Sequence, residues 1–167
     1  MNYKTKATRY LQQEIERYKQ GTIMVVCLVN KNELIILLDD LDTIVEKFYA
    51  VVDMECQKIA GCKIIKDTES IKLYILIPSD NKILEELAYS IYSQVQLYVD
   101  KEFPESYLKC SIGSISFPQV VGNKATKLLP LLNYANLASR DKSYYFNYVN
   151  NSGFQPISTI TLFEIAQ

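Results

Sequence analysis

Three groups of residues in this 167-residue chain have types and spacing that invite chemistry. Asp39, Asp40 and Asp42 crowd together the carboxylates that a hard divalent cation needs. They stand just ahead of a helical pattern and apart from any second acidic cluster, so they read as helix-capping and dipole-matching groups. Cys56 and Cys62 form a C-x5-C pair outside the usual zinc spacings. Both read as small core hydrophobes, and together with Cys27 and Cys110 they lie in apolar stretches, where all four read as buried free thiols in a reducing cytosol. Ser111 and Gly113 suggest a fragment of a nucleophile turn. Yet there is no Gly-x-Ser-x-Gly, and the chain has no His, which removes the commonest general base and the commonest zinc ligand. Hydrolase chemistry is therefore unsupported.

Two further clusters read as structure. Lys124, Lys127, Arg140 and Lys142 give one helical segment a solvated basic face. Tyr144, Tyr145, Phe146 and Tyr148 are aromatics of the kind that pack the core and edge of a sheet. The charges balance, with 18 Lys and Arg against 19 Asp and Glu and a net charge of -1, so no basic surface for nucleic acid is expected. Hydrophobic residues at 49% and charged residues at 22% exclude a disordered or fibrous chain. No apolar run approaches the roughly 18 residues of a membrane span. The start, Met1-Asn2-Tyr3-Lys4-Thr5-Lys6, lacks the apolar stretch of a secretory signal, so a cytoplasmic protein is expected.

The elements that must position these residues follow from periodicity. Ala7, Leu11, Ile15 and Tyr18 recur at helical spacing, with Gly21 as the expected left-handed stop. Thr22 to Val29 is β-branched and apolar throughout, the pattern of a central strand covered on both faces. Glu33 to Leu38 reads as a short helical piece. The three aspartates then precede a longer helix with a Thr43/Glu46 capping box and a stripe of Val45, Phe48, Val52, Cys56 and Ile59. Cys62 to Lys66 and Lys72 to Ile77 form a hairpin around Asp67-Thr68-Glu69-Ser70. After Pro78, with Ser79 or Asp80 as cap, comes a helix bearing Leu84, Leu87, Ile91, Val95 and Tyr98. Leu108 to Phe117 is a strand, and the next helix carries Leu128, Leu132, Ala135 and Ala138 with Pro130 in its first turn. Tyr144 to Val149 is a last strand. The expected domain spans 1–150, and 151–167 is a tail of undefined form beyond Asn-Asn-Ser-Gly. Helices alternating with strands on one mixed sheet give an α+β sandwich of the ferredoxin-like, palm type.

This order, with Ser111-Ile112-Gly113 on a strand and Leu132-Asn133-Tyr134-Ala135-Asn136-Leu137-Ala138 on the next helix, resembles the GGDEF domain over roughly residues 5 to 150. Members of that family condense two GTP into cyclic di-GMP, and the resemblance implies a bacterial signalling domain. Asn136 stands where the family's helix carries an acid, and Lys142 lies one residue from the family's Lys. Running the pattern back from Pro78 without gaps places the signature loop on Glu69-Ser70-Ile71-Lys72-Leu73. It puts Ile64-Ile65 on the apolar pair before the signature, Phe48 on the family's helical Leu and Leu28 at the end of the first strand.

That register removes the chemistry. The two glycines that let the family's loop approach phosphate become Glu69 and Ser70. The two acids after them become Ile71 and Lys72. The metal-binding Asp of the first strand becomes Leu28, with Asn30 two residues on. The guanine-reading positions become Ile36 and Val45. The Arg-x-x-Asp product site becomes Ala60 and Lys63, where no planar fork remains to clamp a guanine. Phosphoryl transfer rests on positioning and on metal neutralisation of phosphate charge, so losing every ligand together is expected to abolish it. The expectation is a catalytically inactive GGDEF-like regulatory or protein-interaction domain, not an enzyme, with no catalytic, cofactor-binding or metal residues. Its partner would be another protein or a second copy of itself. Nucleic acid and membrane insertion are not expected. The alternatives are a nucleotide sensor that holds GTP or a cyclic dinucleotide without turnover, against which Ile36 and Val45 argue, and a ferredoxin-like assembly subunit of a larger complex.

Overall fold

A computed structural model describes residues 6–30, 38–67, 72–78, 81–102, 108–139, 144–150 and 153–158. Its elements are α1 (Lys6–Tyr18), β1 (Gly21–Asn30), α2 (Leu38–Cys56), β2 (Lys63–Asp67), β3 (Lys72–Ile77), α3 (Asn81–Glu102), β4 (Leu108–Phe117), α4 (Ala125–Ser139), β5 (Tyr144–Asn150) and β6 (Gly153–Ser158). The strands form one sheet in the order β2-β3-β1-β4-β5-β6. The first four are antiparallel neighbours, β5 runs parallel to β4 across the α4 crossover, and β6 returns antiparallel on the outer edge. The β1-α2-β2-β3-α3-β4 portion is the ferredoxin-like interleaving expected from the sequence. The hairpin between residues 62 and 78 is present.

Strand alternation divides the core in two. Met24, Val26 and Leu28 of β1, with Leu73, Ile75 and Ile77 of β3, face α2 and α3. Ile23, Val25 and Cys27, with Tyr74 and Leu76, face α1 and α4. β1 is thus covered on both sides, which explains its uninterrupted apolar run. The α2 stripe is Ile44, Phe48, Val52 and Cys56, four residues apart each time, so Ile44 takes the buried place expected of Val45. Leu84, Leu87, Ile91 and Val95 of α3 are buried as expected, and Tyr98 packs at their margin.

Several boundaries differ from the sequence reading. α1 ends at Lys19 (φ 64), whose N–H donates to the Ile15 carbonyl at 2.9 Å, so the left-handed cap is a lysine and not Gly21. Gly21 opens β1 instead, where a Cβ would come 2.7 Å from the Ile77 carbonyl oxygen. α2 begins at Leu38, so Asp39, Asp40 and Asp42 fall inside its first turns rather than ahead of it, and Thr43 and Glu46 are interior positions with no capping box. Acids in a first helical turn complement the positive end of the dipole, which favours this earlier start. Pro130 is the sixth residue of α4, within its second turn. The start is fixed one turn earlier because Lys124 accepts N–H bonds from Lys127 and Leu128, and Gln12 Oε1 takes that of Ala125. Gly153–Ser158 is a sixth strand, with Gly153 opposite Asn150, so the sheet continues past the expected break. The helical piece at 33–37, the caps Ser79 and Asp80, the turn residues 68–71, Arg140, Lys142 and the tail after 158 lie outside the described residues.

Among the described residues, no helix is long and apolar enough to cross a membrane. Phe146 is fully buried and Tyr148 leans on it with ring centroids 5.6 Å apart, the packing role expected of the aromatic strand. Lys124 and Lys127 are exposed, as a solvated face requires.

Candidate functional site

Strand register lines up four side chains of mixed chemistry across one end of the sheet. Asp67 of β2 pairs with Lys72 of β3, Lys72 with Cys27 of β1, and Cys27 with Ser111 of β4. Each is an even number of residues from a side chain in the α1/α4 core (Ile65, Tyr74, Val25 and Ile115), so all four lie on that face. Lys109, only 3% exposed, is the next β4 residue on the same face. Tyr74 stands one step inward. Burial holds its phenol above the usual tyrosine range, and the Asp67 and Cys27 groups add to the shift.

α4 closes this row from above. Ser111 Oγ donates to Asn136 Oδ1 at 2.7 Å, and Asn136 Nδ2 donates to Cys27 Sγ at 2.8 Å. All three residues are buried, which makes the tie between β1, β4 and α4 a satisfied polar network inside apolar packing. Gly113 makes the approach possible. A Cβ there would lie 2.8 Å from the Asn136 nitrogen and 3.1 Å from both Asn136 Cα and the Leu132 carbonyl oxygen. The Ser111-Ile112-Gly113 motif is therefore a docking surface for a helix: the serine bonds it and the glycine lets it close. No nucleophile turn is built there.

The positions assigned by the family register scatter around this row. Leu28 is 5% exposed and points away from it, into the α2/α3 core. Lys72 belongs to the row. Asn30 ends β1 opposite Leu108. Val45 is half-buried on α2, Phe48 and Ile65 are buried, and Ile64 is half-buried. Ala60 is exposed, and the Lys63 ammonium pairs with the buried Glu14 carboxylate of α1 at 2.7 Å. Ile36, Glu69, Ser70, Ile71 and Lys142 lie outside the described residues.

Sequence reasoning singled out Ser111, Gly113 and Asn136 but did not join them to Cys27, and it left Lys109 unremarked. The available signal lay on β4: Lys109, Ser111 and Gly113 share one face of an alternating strand, and a glycine two residues after a strand serine marks a close neighbour above it, whereas Cys27 gives no such signal inside an apolar run. On the opposite face, burial raises the Cys110 thiol; the Cys27 thiol adds to this and Lys109 opposes it.

The row offers one described carboxylate beside an ammonium, a thiol held by an amide, and a hydroxyl already donating. Among the described residues, no group of three or more His, Cys, Asp or Glu side chains is placed to share a metal ion. A groove of about 750 Å³ between α1 and the start of α4, lined by Arg9, Gln12, Asn123 and Lys124 among others, sits at the other end of α4 from Asn136 and does not extend the row.

No family model matches the chain. No curated protein matches it either. Two solved structures of a bacterial light-regulated adenylyl cyclase share its fold. One has a TM-score of 0.59 at 9% identity, covering 78% of this chain and 43% of that one. The other has a TM-score of 0.54 at 10% identity, covering 78% of this chain and 75% of that one. The chain thus spans less than half the length of the first. At such identities the likeness is one of architecture, and the mixed sheet flanked by four helices is a cyclase-type, palm-like fold.

Proposed function

We propose that this chain is a cyclase-type domain that does not turn over nucleotide and acts by binding another protein or a second copy of itself. One observation carries the reading. At the sheet end where the row crosses β1 and β3, the strands present an amide-tied Cys27, an inward Leu28 and Lys72, leaving Asp67 as the one described carboxylate. Transfer of a phosphoryl group needs its charge neutralised by metal, and hard metal ions need several oxygen donors. Asp67, opposite Lys72 in the register, is the one carboxylate among the described strand residues of the row, too few oxygen donors for such an ion. The finer assignment, a degenerate GGDEF domain, rests on the motif register through Ser111-Ile112-Gly113 and Asn136.

Exposed apolar side chains support the interaction role. Met54 and Leu97 are 65% and 66% exposed, and the tilted rings of Tyr134 and Phe154 pack with centroids 5.0 Å apart beside the outer edge. Incubation of the chain with ATP or GTP and magnesium or manganese, read by chromatography, is expected to yield no cyclic nucleotide. Turnover that disappears in Asp67→Asn would refute the reading.

A further inference from the structure

Cys56 closes the buried stripe of α2, and Cys62 precedes β2. Two successive turns fold the connection back on itself: the Ile59 N–H donates to the Cys56 carbonyl at 3.0 Å, and the Cys62 N–H to the Ile59 carbonyl at 3.3 Å. Both side chains then meet on the α2/α3 face, where their thiols hydrogen-bond to each other. From the sequence both are expected to be small core hydrophobes. That holds for the packing of Cys56, at 4% exposed, but Cys62 is only half-buried and can be reached from solvent.

We propose that Cys56 and Cys62 are a dithiol that closes reversibly to a disulfide by exchange with a small-molecule disulfide. The roles divide by access and by thiolate character. The Cys56 hydrogen bond holds the Cys62 thiol below the usual range, helped by the Lys63 backbone N–H and opposed by burial. Cys56 is raised by the same bond, by burial and by the Cys62, Asp53 and Glu55 charges. The Cys62 thiolate attacks one sulfur of the small disulfide, forms a mixed disulfide and expels a thiolate. The Cys56 sulfur, losing its proton to that thiolate, then attacks the Cys62 sulfur and expels the second small thiol. Two protein thiols are oxidised by two electrons, and one small disulfide is reduced to two thiols.

The bond would staple the end of α2 to the start of β2. That junction also receives α1, through Tyr18 Oη donating to the Gly61 carbonyl and through the Glu14–Lys63 pair. Cys27 and Cys110 are buried and occupy opposite faces of the sheet, so they form no competing pair.

The test uses the whole chain, incubated with oxidised glutathione, denatured in acid and alkylated. Of the four cysteines, two are expected to be alkylated, with a mass loss equal to two hydrogens on the others. Trypsin cleaves after Lys58, so the bond would join two peptides, one with Cys56 and one with Cys62. Cys56→Ala is expected to stop at a glutathione adduct on Cys62, and Cys62→Ser to lose at least tenfold in reaction rate. Four alkylated cysteines, a stable adduct in the unmutated chain or a linkage through Cys27 or Cys110 would each overturn the proposal. Because the readout is thiol chemistry, it stands or falls apart from the question of nucleotide turnover.

Discussion

Gly113→Ala tests whether α4 is seated by contact with the strand beneath it. Gly113 has no left-handed backbone requirement, so the substitution changes space alone. The new methyl would begin 2.8 Å from the Asn136 nitrogen, whereas ordinary contact starts at 3.4 Å, so α4 must retreat by roughly 0.6 Å or the strand must sag by as much. The obstructing atoms are helix backbone, which cannot swing aside as a side chain would. Overpacking of this kind costs about 2 kcal/mol. The retreat also stretches the 2.7 Å Ser111–Asn136 bond past good hydroxyl geometry, losing about 1 kcal/mol more. Alanine returns about 0.7 kcal/mol by restricting the unfolded chain. The net loss is about 2 kcal/mol, or a fall in Tm of roughly 4–8 °C for a chain of this size. Urea unfolding followed by circular dichroism measures it. A loss below about 0.5 kcal/mol would show that α4 does not bear on Gly113 and would dissolve the tie as described.

Two further outcomes follow from the same end of the sheet. Asn136→Asp replaces the donor to Cys27 with a buried carboxylate whose folded pKa must rise, so its neutral form is favoured and stability falls as pH climbs past the unfolded value. Urea unfolding is expected to show a larger deficit against the unmutated chain at pH 8 than at pH 5; an equal deficit would count against the buried tie. Tyr74, raised above 10.0 by burial, keeps its proton when the unfolded chain has lost it, so its contribution is intact below pH 10 and drains away above it. Tyr74→Phe should therefore retain more of its neutral-pH stability at pH 11 than the unmutated chain does, and identical pH profiles would argue against the burial.

Wherever period and burial coincide, the architecture is legible in the residues. The apolar run of β1, the alternation of β4 and the stripe of α3 each report a face that is covered, and their order leaves few topologies. The misplaced boundaries share a cause: ends are set by backbone partners that lie far along the chain. Lys19 takes the left-handed cap because Gly21 is needed where the Ile77 carbonyl crowds β1. α4 starts before Pro130 because Gln12, from α1, caps it. β6 escaped notice since Pro156 and Gly153 discourage a strand, yet an edge position tolerates both. The candidate site was half legible. Its β4 and α4 members were visible as a motif, while Cys27 looked like one more apolar residue in an apolar strand.

That last point bears on how the missing chemistry is understood. A shift of one residue along a strand exchanges its two faces. Leu28, the position given by the family register, faces α2 and α3, whereas Cys27 faces the row that contains Asp67. A carboxylate placed at Leu28 would be buried in a purely apolar core, several kcal/mol uphill, and would not share a face with Asp67. Placed at Cys27 it would share that face, next to Lys72 and under the Asn136 amide that now binds the thiol. On β1, the side chain that would have to change to build a second acid into the row is therefore the one that fastens α4 to that strand. In this chain the two uses of the position exclude each other, and the sequence has settled on the fastening.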